Sequence, residues 1–407
     1  MNLKKIMIGD HCIVTSSKRF HLSERVESGI PFYRSKEIIQ KFKGEVVTEC
    51  DYIPIDEYAN IERQFGAPRV GDLLLTTRGT YGVPYVYKEN DCFYFADGNI
   101  TWFKDFDESL NSKYLYYWFQ SYEGYQKVDA IAKGTAQKAV PITTLIQLEL
   151  YTPIIDLQNK IVNILSAYDS LIENNQKQIK LLEEAVQRLY KEWFIDLRFP
   201  GYENVEIVDG VPEGWNINRA DHYFKITIGK TPSRAEKQWF ANSGEGTPWI
   251  SISDMGEAGA FAFYSKEDLT AEAIVRHNMK VVPKGSVLVS FKLTVGRVAI
   301  TGIDMCTNEA IAHFYIDNDL DRAYTYCYLK NFEYDSLGNT SSISKAINSK
   351  IIKSMSFIMP SRDILEQFSM IVQPILNQIE LKQKMIFRLT EARDRLLPKL
   401  MSGEIEV

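Results

Sequence analysis

Residues 71–82 are GDLLLTTRGTYG, and residues 285–296 are GSVLVSFKLTVG. Both stretches place a run of strand-forming residues between glycines, a pattern that predicts a short β-strand followed by a turn. Gly71, Gly82, Gly285 and Gly296 are interpreted as turn residues, because glycine adopts a positive φ without steric cost. The second stretch begins 214 residues after the first (285 − 71), so the chain is predicted to contain one module twice.

The repeat continues on both sides of these stretches, but its offset changes. Upstream, Pro31 matches Pro248 at an offset of 217; downstream, Lys138 matches Lys345 at an offset of 207. The offset then stays at 207 almost to the end of the chain. We infer a front part whose loops have diverged, followed by a rigid element of constant length.

The rigid element is predicted to be a long helix in each copy, because apolar residues recur at alternating spacings of three and four. At about 1.5 Å per residue, about 38 residues would form a rod of about 57 Å. The positions assigned to the helix-pairing seam are Ile161, Leu165, Tyr168, Ile172, Asn175, Ile179, Leu182, Val186 and Leu189 in the first copy, and Phe368, Val372, Ile375, Ile379, Lys382, Ile386, Leu389, Leu396 and Leu400 in the second.

Polar residues interrupt this seam. Asn175 and Lys382 occupy equivalent positions, which favours an antiparallel pairing that brings the two interruptions into nearby layers. Lys382 and Arg393 are basic departures from the apolar pattern, and Pro374 predicts a kink or a late start of the second helix.

The predicted fold class is α+β (mixed α/β), with two tandem domains, each followed by a long helix. The two helices are expected to pair as an antiparallel coiled coil with pseudo-twofold symmetry. The predicted boundaries are 1–155 for the first domain, 156–198 for the first long helix, 199–362 for the second domain with a linker at 199–215, and 363–407 for the second long helix and C-terminal tail. Strands are expected near 72–77, 85–87, 281–282, 287–290 and 297–301, and helices near 111–120 and 321–331.

Composition excludes several classes of protein. A net charge of −6 and a pI near 5.6 argue against a sequence-independent polyanion binder, which needs a broad basic surface. The five cysteines form no CxxC pair, so neither a structural zinc site nor a disulfide framework is favoured, and we interpret them as free thiols. No apolar run approaches the roughly 18 residues that span a bilayer, and the first residues lack a hydrophobic signal core, so a cytoplasmic location is expected.

Common catalytic signatures are missing. The sequence contains neither the Asn-Pro-Pro-aromatic nor the Asp-Pro-Pro-Tyr loop of amino-methyltransferases, and no GxxxxGK[ST] or HExxH motif. Its five histidines are scattered, without a shared chemical context in the two copies. We predict no catalytic residue and no metal site, although a nuclease built from dispersed acidic residues stays an open alternative.

Polar loops at matching places in the two copies are the candidates for DNA contact. Arginine suits guanine edges, glutamine suits adenine, and serine, threonine and lysine suit phosphates. The candidate DNA-binding residues of the first copy are Arg34, Ser35, Lys36, Thr76, Thr77, Arg78, Thr80, Tyr81, Lys133, Thr135, Gln137 and Lys138. Those of the second copy are Ser251, Ser253, Ser290, Lys292, Thr294, Ser341, Ser342, Ser344 and Lys345.

Taken together, these features resemble the specificity (S) subunit of Type I restriction-modification systems. The resemblance covers essentially the whole chain. It rests on the duplicated module with GDLLLTTRGTYG near its middle, the prolines Pro153 and Pro360 before each long helix, VPEGW at 211–215 opening the second module, and the ending LLPKLMSGEI at 396–405. Each motif is weak alone; their order and duplication make the set specific.

The resemblance implies a non-catalytic subunit in which each module recognises one half of a split double-stranded DNA site through the major groove. The paired helices would fix the gap and dock two methyltransferase (M) subunits. Those partners would bring S-adenosylmethionine, and motor-nuclease restriction (R) subunits would bring ATP and Mg²⁺. Two other hypotheses stay open: a self-contained sequence-specific endonuclease with an unrecognised acidic site, and a bivalent scaffold that binds proteins through its helices.

Overall fold

The computed structural model describes residues 3–21, 25–134, 138–208, 210–337 and 347–407. The chain forms two compact units. Unit 1 comprises Met1–Glu173 with Phe387–Val407, and unit 2 comprises Asn174–Ile386. Each unit therefore combines one repeat of the front part with a segment from each of the two long helices.

Unit 1 is a mixed domain of short strands and helices. Its strands are β1 (Lys4–Met7), β2 (Ile13–Thr15), β3 (Ile30–Tyr33), β4 (Asp51–Ile53), β5 (Leu73–Thr76), β6 (Pro84–Val86), β7 (Tyr94–Phe95), β8 (Ile100–Lys104) and β9 (Glu149–Thr152). Its helices are α1 (Ser35–Phe42), α2 (Ile55–Phe65), α3 (Ser112–Gln120), α4 (Tyr122–Ile131), α5 (Ile142–Ile146) and the first part of α6 (Ile155–Tyr190). The strands form sheets in the orders β2-β8-β5-β6, β4-β3-β7 and β1-β9.

Unit 2 contains the remaining elements. Its strands are β10 (Ile207–Val208), β11 (Val211–Pro212), β12 (Asn216–Arg219), β13 (Ile226–Ile228), β14 (Phe240–Asn242), β15 (Thr247–Ile250), β16 (Phe261–Ala262), β17 (Glu267–Leu269), β18 (Val287–Ser290), β19 (Val298–Thr301), β20 (Cys306–Thr307), β21 (Ile311–Phe314) and β22 (Ser356–Met359). Its helices are α7 (Ala220–Tyr223), α8 (Ile252–Glu257), α9 (Ala271–Arg276), α10 (Asp319–Asn331), α11 (Ser349–Lys353) and the first part of α12 (Arg362–Ser402).

The two units share one topology. The sheet β2-β8-β5-β6 corresponds to β13-β21-β18-β19, β4-β3-β7 corresponds to β17-β15-β20, and β1-β9 corresponds to β12-β22. Unit 2 extends two of these sheets with β16 and β14. The predicted mixed α+β fold with a duplicated module is therefore confirmed, and the additional strands lie in the part where the offset drifts.

The glycine-bounded stretches form β5 and β18 in the two copies. Gly71 and Gly82 have φ values of 93° and 82°, and Gly285 and Gly296 have values of 87° and 85°. All four glycines therefore take the left-handed conformation that a turn requires. Their interpretation as turn residues is confirmed.

The long helices keep the constant offset of the sequence. Helix α6 continues into a π-helical turn at Lys191–Ile195, and α12 ends at Ser402. Both starts and both ends differ by 207 residues (362 − 155 and 402 − 195). The predicted late start at Pro374 is wrong, because α12 begins at Arg362. Pro374 is exposed, so water can bind the carbonyl oxygen of Met370 that proline leaves without a donor.

Within each unit, the start of one long helix shares a core with the end of the other. In unit 1, Ile161 and Leu165 of α6 are buried with Leu397 and Leu400 of α12. In unit 2, the end of α6 is buried in one core with the start of α12. The buried residues there include Val186 and Tyr190 from α6, Trp193 from the π-helical turn, and Phe368, Val372, Leu376 and Ile379 from α12. This order in both units is that of an antiparallel helix pair.

The two basic interruptions of the seam have partners. In unit 2, the Lys382 ammonium donates to the side-chain oxygen of Gln178. In unit 1, Arg393 Nη1 lies 2.7 Å from Asp169 Oδ1, and the Tyr117 hydroxyl donates to the other carboxylate oxygen over 2.5 Å. Lys382 and Arg393 therefore fit the helix packing as hydrogen-bonded residues.

The seam positions assigned from the sequence are all buried or half-buried. Ile161, Leu165, Val186, Phe368, Val372, Ile379 and Leu400 are buried, whereas Tyr168, Ile172, Asn175, Ile179, Leu182, Leu189, Ile375, Lys382, Ile386, Leu389 and Leu396 are half-buried. Apart from Ile379, the assigned positions near the middle of the helices belong to the half-buried set. The sequence pattern missed several buried positions next to the seam, namely Val162, Tyr190, Leu376, Leu397 and Met401.

The segment predicted as a linker is anchored to unit 2 by aromatic rings. Phe199 and Trp215 are both buried, with ring centroids 5.3 Å apart, and Trp215 lies 5.7 Å from Phe194 of the π-helical turn. Strands β10 and β11 pair between these two aromatic residues. No helix in the described ranges is long and apolar enough to cross a membrane.

Candidate nucleic-acid interface

In unit 1, the fold brings two of the predicted loops together. The backbone of Ala139 pairs with both Arg78 and Lys133 as isolated bridges. The Lys133 amide donates to the Ala139 carbonyl over 2.8 Å, and the Val140 amide donates to the Thr77 carbonyl over 2.9 Å. The β5–β6 turn and the segment after α4 therefore form one surface, which we call the first-copy surface: Arg78, Thr80, Tyr81, Lys133 and Lys138.

One cation of this surface is held by a carboxylate. Lys138 Nζ lies 3.0 Å from Asp129 Oδ1, and the Tyr81 hydroxyl donates to the same oxygen. The hydrogen bond from Tyr81, followed by that from Lys138, lowers the pKa of Asp129; the hydrogen bond to Asp129 raises the pKa of Lys138. Both groups are therefore charged at neutral pH, and Asp129 fixes the position of the ammonium.

Arg78 and Lys133 are the exposed cations of the first-copy surface that are not held in this way. Among the described residues, neither side chain has an ion-pair partner. Their guanidinium and ammonium groups are therefore available to a phosphate or, for Arg78, to the acceptor atoms of a guanine edge.

The start of α1 lies beside the same turn. The Ser35 hydroxyl and the Thr77 amide both donate to the carbonyl oxygen of Asn99, over 3.3 and 2.8 Å. Arg34 precedes α1 and pairs with Asp51 at 2.5 Å, and Lys36 is exposed. Of the candidates in this region, Arg34 is already paired within unit 1.

Three hydroxyl residues proposed for DNA contact are buried instead. Thr76 and Ser290 have no exposed side-chain surface, and Thr77 is 4% exposed. The Thr76 hydroxyl accepts a hydrogen bond from the Val83 amide over 3.0 Å, and the Ser290 hydroxyl accepts the equivalent bond from Arg297 over 2.9 Å. We correct the prediction for these residues, because a duplex has no access to side chains that close the turn from inside.

In unit 2, the equivalent turn follows β18 and spans residues 291–296, which we call the second-copy loop. Lys292 and Thr294 are exposed there, in agreement with their assignment to the surface. Burial raises the pKa of Glu309, but its hydrogen bond with Thr231 and the positive charge of Lys292 are among the effects that lower it below the usual value. The ammonium group of Lys292 therefore interacts electrostatically with the carboxylate of Glu309.

The serines of the second copy have different surroundings. Ser251 caps α8, since its hydroxyl bonds the Asp254 carboxylate over 2.6 Å and accepts from the Asp254 amide. This is a capping function, and it leaves Ser251 only half exposed. Ser253 is exposed and accepts a hydrogen bond from Lys266 over 3.1 Å.

Other predicted residues lie outside the described ranges. These are Thr135, Gln137, Ser341, Ser342, Ser344 and Lys345. Their assignment to DNA contact stays a prediction.

The sequence did not single out two exposed tyrosines of α4, one of which, Tyr125, lies beside Gly82 of the β5–β6 turn. Tyr122 and Tyr125 of α4 are 76% and 48% exposed. The Tyr125 ring lies 4.0 Å from the place where a Cβ atom on Gly82 would stand. Their exposure could not be anticipated, because neighbouring tyrosines in α3 have the same sequence character and are buried, Tyr114 and Tyr117 among them.

Within the described residues, no group of three or more His, Cys, Asp or Glu side chains could hold a metal ion. The five cysteines are free thiols; Cys12, Cys306 and Cys327 are buried, and Cys92 is exposed.

Comparison with known proteins gives one family. Residues 2–184 and 212–391 match the family described as "Type I restriction modification DNA specificity domain". The Type I restriction enzyme MjaIX specificity subunit of Methanocaldococcus jannaschii is 28% identical over 363 residues, which cover 83% of this chain and 78% of that protein. The Type I restriction enzyme HindI specificity subunit of Haemophilus influenzae is 26% identical over 353 residues, covering 69% and 74%.

A solved structure has a similar fold. The crystal structure of the Type-I restriction-modification system S subunit from M. genitalium superimposes with a TM-score of 0.61 at 16% identity, covering 98% of this chain and 96% of that one. The family match includes both copies of the duplicated module and extends well beyond half of the chain. The chain therefore belongs to the Type I restriction-modification specificity subunits, the DNA-recognition subunits of those complexes.

Proposed function

We propose that this chain recognises a bipartite double-stranded DNA site, with each unit contacting one half-site. The observation that carries the proposal is that the same glycine-bounded turn is exposed in both copies of one topology. Two of its outward-facing residues differ between the copies: Arg78 and Gly79 in one, Lys292 and Leu293 in the other. Two different surfaces on a common scaffold suit two different half-sites.

The chemistry of these turns suits both specificity and positioning. Arg78 has the donor geometry for a guanine edge, and the ammonium groups of Lys133, Lys138 and Lys292 suit phosphates. The chain has 47 Lys and Arg residues against 53 Asp and Glu residues, so it has no excess of positive charge with which to neutralise phosphates. Partner subunits would supply the remaining positive charge.

The paired helices α6 and α12 are proposed to dock two methyltransferase subunits and to set the distance between the half-sites. This chain would be non-catalytic. S-adenosylmethionine would be bound by the methyltransferase subunits, and ATP and Mg²⁺ by restriction subunits, in a cytoplasmic complex. The alternative of a self-contained endonuclease is not supported, since the family and the relatives are those of specificity subunits.

The proposal is tested by assembling the complex and mapping what it methylates. The full chain is purified alone and together with the methyltransferase subunits of its own system. We expect the chain alone neither to methylate nor to cleave DNA, and the complex to methylate one split sequence. Robust Mg²⁺-dependent cleavage by the isolated chain would contradict the proposal.

A loop exchange tests which unit contacts which half-site. Residues 78–81 and 133–138 are replaced together by those of a relative with a different target, leaving the buried Thr76 and Thr77 unchanged. The methylated sequence should change in one half-site only. As a matched control, exchange of residues 291–296 should change the other half-site. If either exchange altered both half-sites, the assignment of one unit to one half-site would be wrong.

A further inference from the structure

Leu293 in the second-copy loop has two properties that folding alone does not explain. Its backbone is left-handed, with a φ of 61°, and its side chain is 90% exposed. A leucine rarely adopts this conformation, because its Cβ atom crowds the following carbonyl oxygen. Because the Leu293 side chain is in contact with water, no favourable free energy of apolar burial offsets the backbone strain.

The first copy shows what this position requires. Gly79 is the equivalent residue at the offset of 214 and has a φ of 72°. The turn therefore needs a left-handed residue in both copies, and glycine is the unstrained choice. Because the scaffold accepts glycine, the leucine of the second copy is unnecessary for the turn, and backbone strain kept at an exposed site points to a function.

The second-copy loop presents Leu293 from a firmly anchored backbone. The Ser290 hydroxyl donates to the Thr294 carbonyl over 2.6 Å, and the Gly296 amide donates to the Ser290 carbonyl over 2.9 Å. Arg297 bonds the carbonyl of Ile252 through its guanidinium. The loop is fixed on both sides of Leu293, so its side chain is held at a defined place.

The neighbours of Leu293 are suited to nucleic acid. Lys292 and Thr294 flank it, and both are exposed. The loop connects the antiparallel strands β18 and β19, which are inner strands of the five-stranded sheet of unit 2, so the exposed loop and not the strands is available to a partner. The major groove of B-DNA distinguishes all four base pairs, whereas the minor groove carries a degenerate pattern. On the major-groove edges of the bases, the apolar group available for contact is the C5-methyl of thymine.

We propose that Leu293 packs against the C5-methyl group of a thymine in the half-site recognised by unit 2. The inference rests on the proposed function, and it makes Leu293 a specificity-determining residue. The second copy would thereby distinguish a thymine at one position, whereas the first copy, with Gly79 at the equivalent place, has no side chain for this contact.

The test uses the full chain assembled with the methyltransferase subunits of its system and a duplex that contains the methylated sequence. Each thymine of the half-site assigned to unit 2 is replaced in turn by deoxyuridine, which lacks only the methyl group. One replacement should weaken binding about fourfold, the loss expected for one buried methyl group. Replacements in the other half-site should leave the contribution of Leu293 unchanged.

Two variants separate this contact from a structural role. Leu293→Gly removes the side chain, and Leu293→Asn replaces it with a polar one that tolerates the left-handed conformation. Both variants should bind the thymine duplex as weakly as the wild type binds the duplex whose deoxyuridine replacement weakens binding. Neither variant should distinguish the thymine duplex from that deoxyuridine duplex. Neither should lower the Tm, because the strain at residue 293 is relieved. Val275→Ala, a change of an exposed apolar residue on α9 outside the second-copy loop, should keep the discrimination.

Several results would overturn the assignment. These are a half-site without A·T pairs, a wild type that is insensitive to every deoxyuridine replacement, and a Leu293→Gly variant that discriminates as well as the wild type. Each of them leaves the proposed function intact provided that the complex binds its site. A wild-type complex that binds no DNA would instead contradict the proposed function itself.

Discussion

Single side chains near the turns divide into those that build the turn and those that face outward. Thr76 and Ser290, 214 residues apart, use their hydroxyls in the same way, to accept a hydrogen bond from the backbone at the far side of the turn. Arg78 and Lys292 project from the same turns into solvent. Because the inward residues fix the backbone, the outward ones can vary without loss of the fold.

Arg78 is the outward residue with the most specific chemistry. We expect Arg78→Ala to lower discrimination at one base pair of one half-site by about 1–3 kcal/mol, because a bidentate contact to guanine would be lost. Competition binding with single-base variants of the site measures this. Arg63→Ala, on the exposed face of α2, is the matched control and should bind as the wild type does. Uniformly weaker binding to all sequences would instead identify Arg78 as a phosphate contact.

A buried histidine makes the stability of unit 2 depend on pH. His313 of β21 is fully buried, and its ring nitrogens bond the hydroxyls of Thr307 and Thr227 at 2.6 and 2.8 Å. Burial lowers the pKa of His313 from 6.5 to about 3. The unfolded chain therefore takes up a proton that the folded chain does not, at pH values between these two.

We expect the free energy of unfolding of unit 2 to fall as the pH drops below 6.5, by up to about 1.4 kcal/mol per unit from His313 alone. Above 6.5 this contribution is constant. Urea denaturation at several pH values measures the slope. His313→Gln should reduce it, whereas His222→Gln, at an exposed position of the same unit, should not. A slope that persists in the His313 variant would contradict the assignment.

At equivalent positions, the pair of long helices has an ion pair in unit 1 and two apolar residues in unit 2. In unit 1, Asp169 and Arg393 form an ion pair with side chains that are 29% and 21% exposed. At the offset of 207, the equivalent residues in unit 2 are Leu376 and Val186, both buried in one apolar core. Burial alone would lower the pKa of Arg393, but the hydrogen bond and charge of Asp169 contribute to raising it.

Breaking this ion pair should destabilise unit 1. We expect Arg393→Met to reduce the free energy of unfolding by about 1–3 kcal/mol, because among the described residues Asp169 would keep only the Tyr117 hydroxyl as a partner. Arg395→Met is the control, since Arg395 is 77% exposed and forms a surface pair within α12 that is worth at most about 0.5 kcal/mol. Equal losses in the two variants, measured by thermal or urea denaturation, would contradict a special role for the Asp169 pair.

For the whole molecule, the contacts of the helices determine how the proposed spacing can be tested. Gln178 meets Lys382, and Asp169 meets Arg393, each within one unit. An insertion after Ile172 lengthens α6 between these two contacts. The same number of residues must then be added to α12 between Lys382 and Arg393, so that both contacts are kept.

A matched insertion of one heptad, after Ile172 and after Arg388, should lengthen the preferred gap between the half-sites. About 10 Å of added helix corresponds to about three base pairs. Methylation assays on a series of sites with different gaps measure the preference. A heptad inserted in α6 alone serves as the control and should lower stability, since the seam loses its register. An unchanged gap in the stable double insertion would refute the spacer role.

Periodicity, the repeat offset and the glycine positions were enough to predict the duplicated module, the pair of long helices and the turn residues, because these are local or repetitive properties of the chain. The burial of Thr76 and Ser290, the pairing of both Arg78 and Lys133 with Ala139, and the partners of Lys382 and Arg393 could be seen in the folded chain alone. Burial and neighbourhood depend on which distant segments fold against one another. A hydroxyl in a polar loop has the same sequence character whether it faces a duplex or closes the turn from inside.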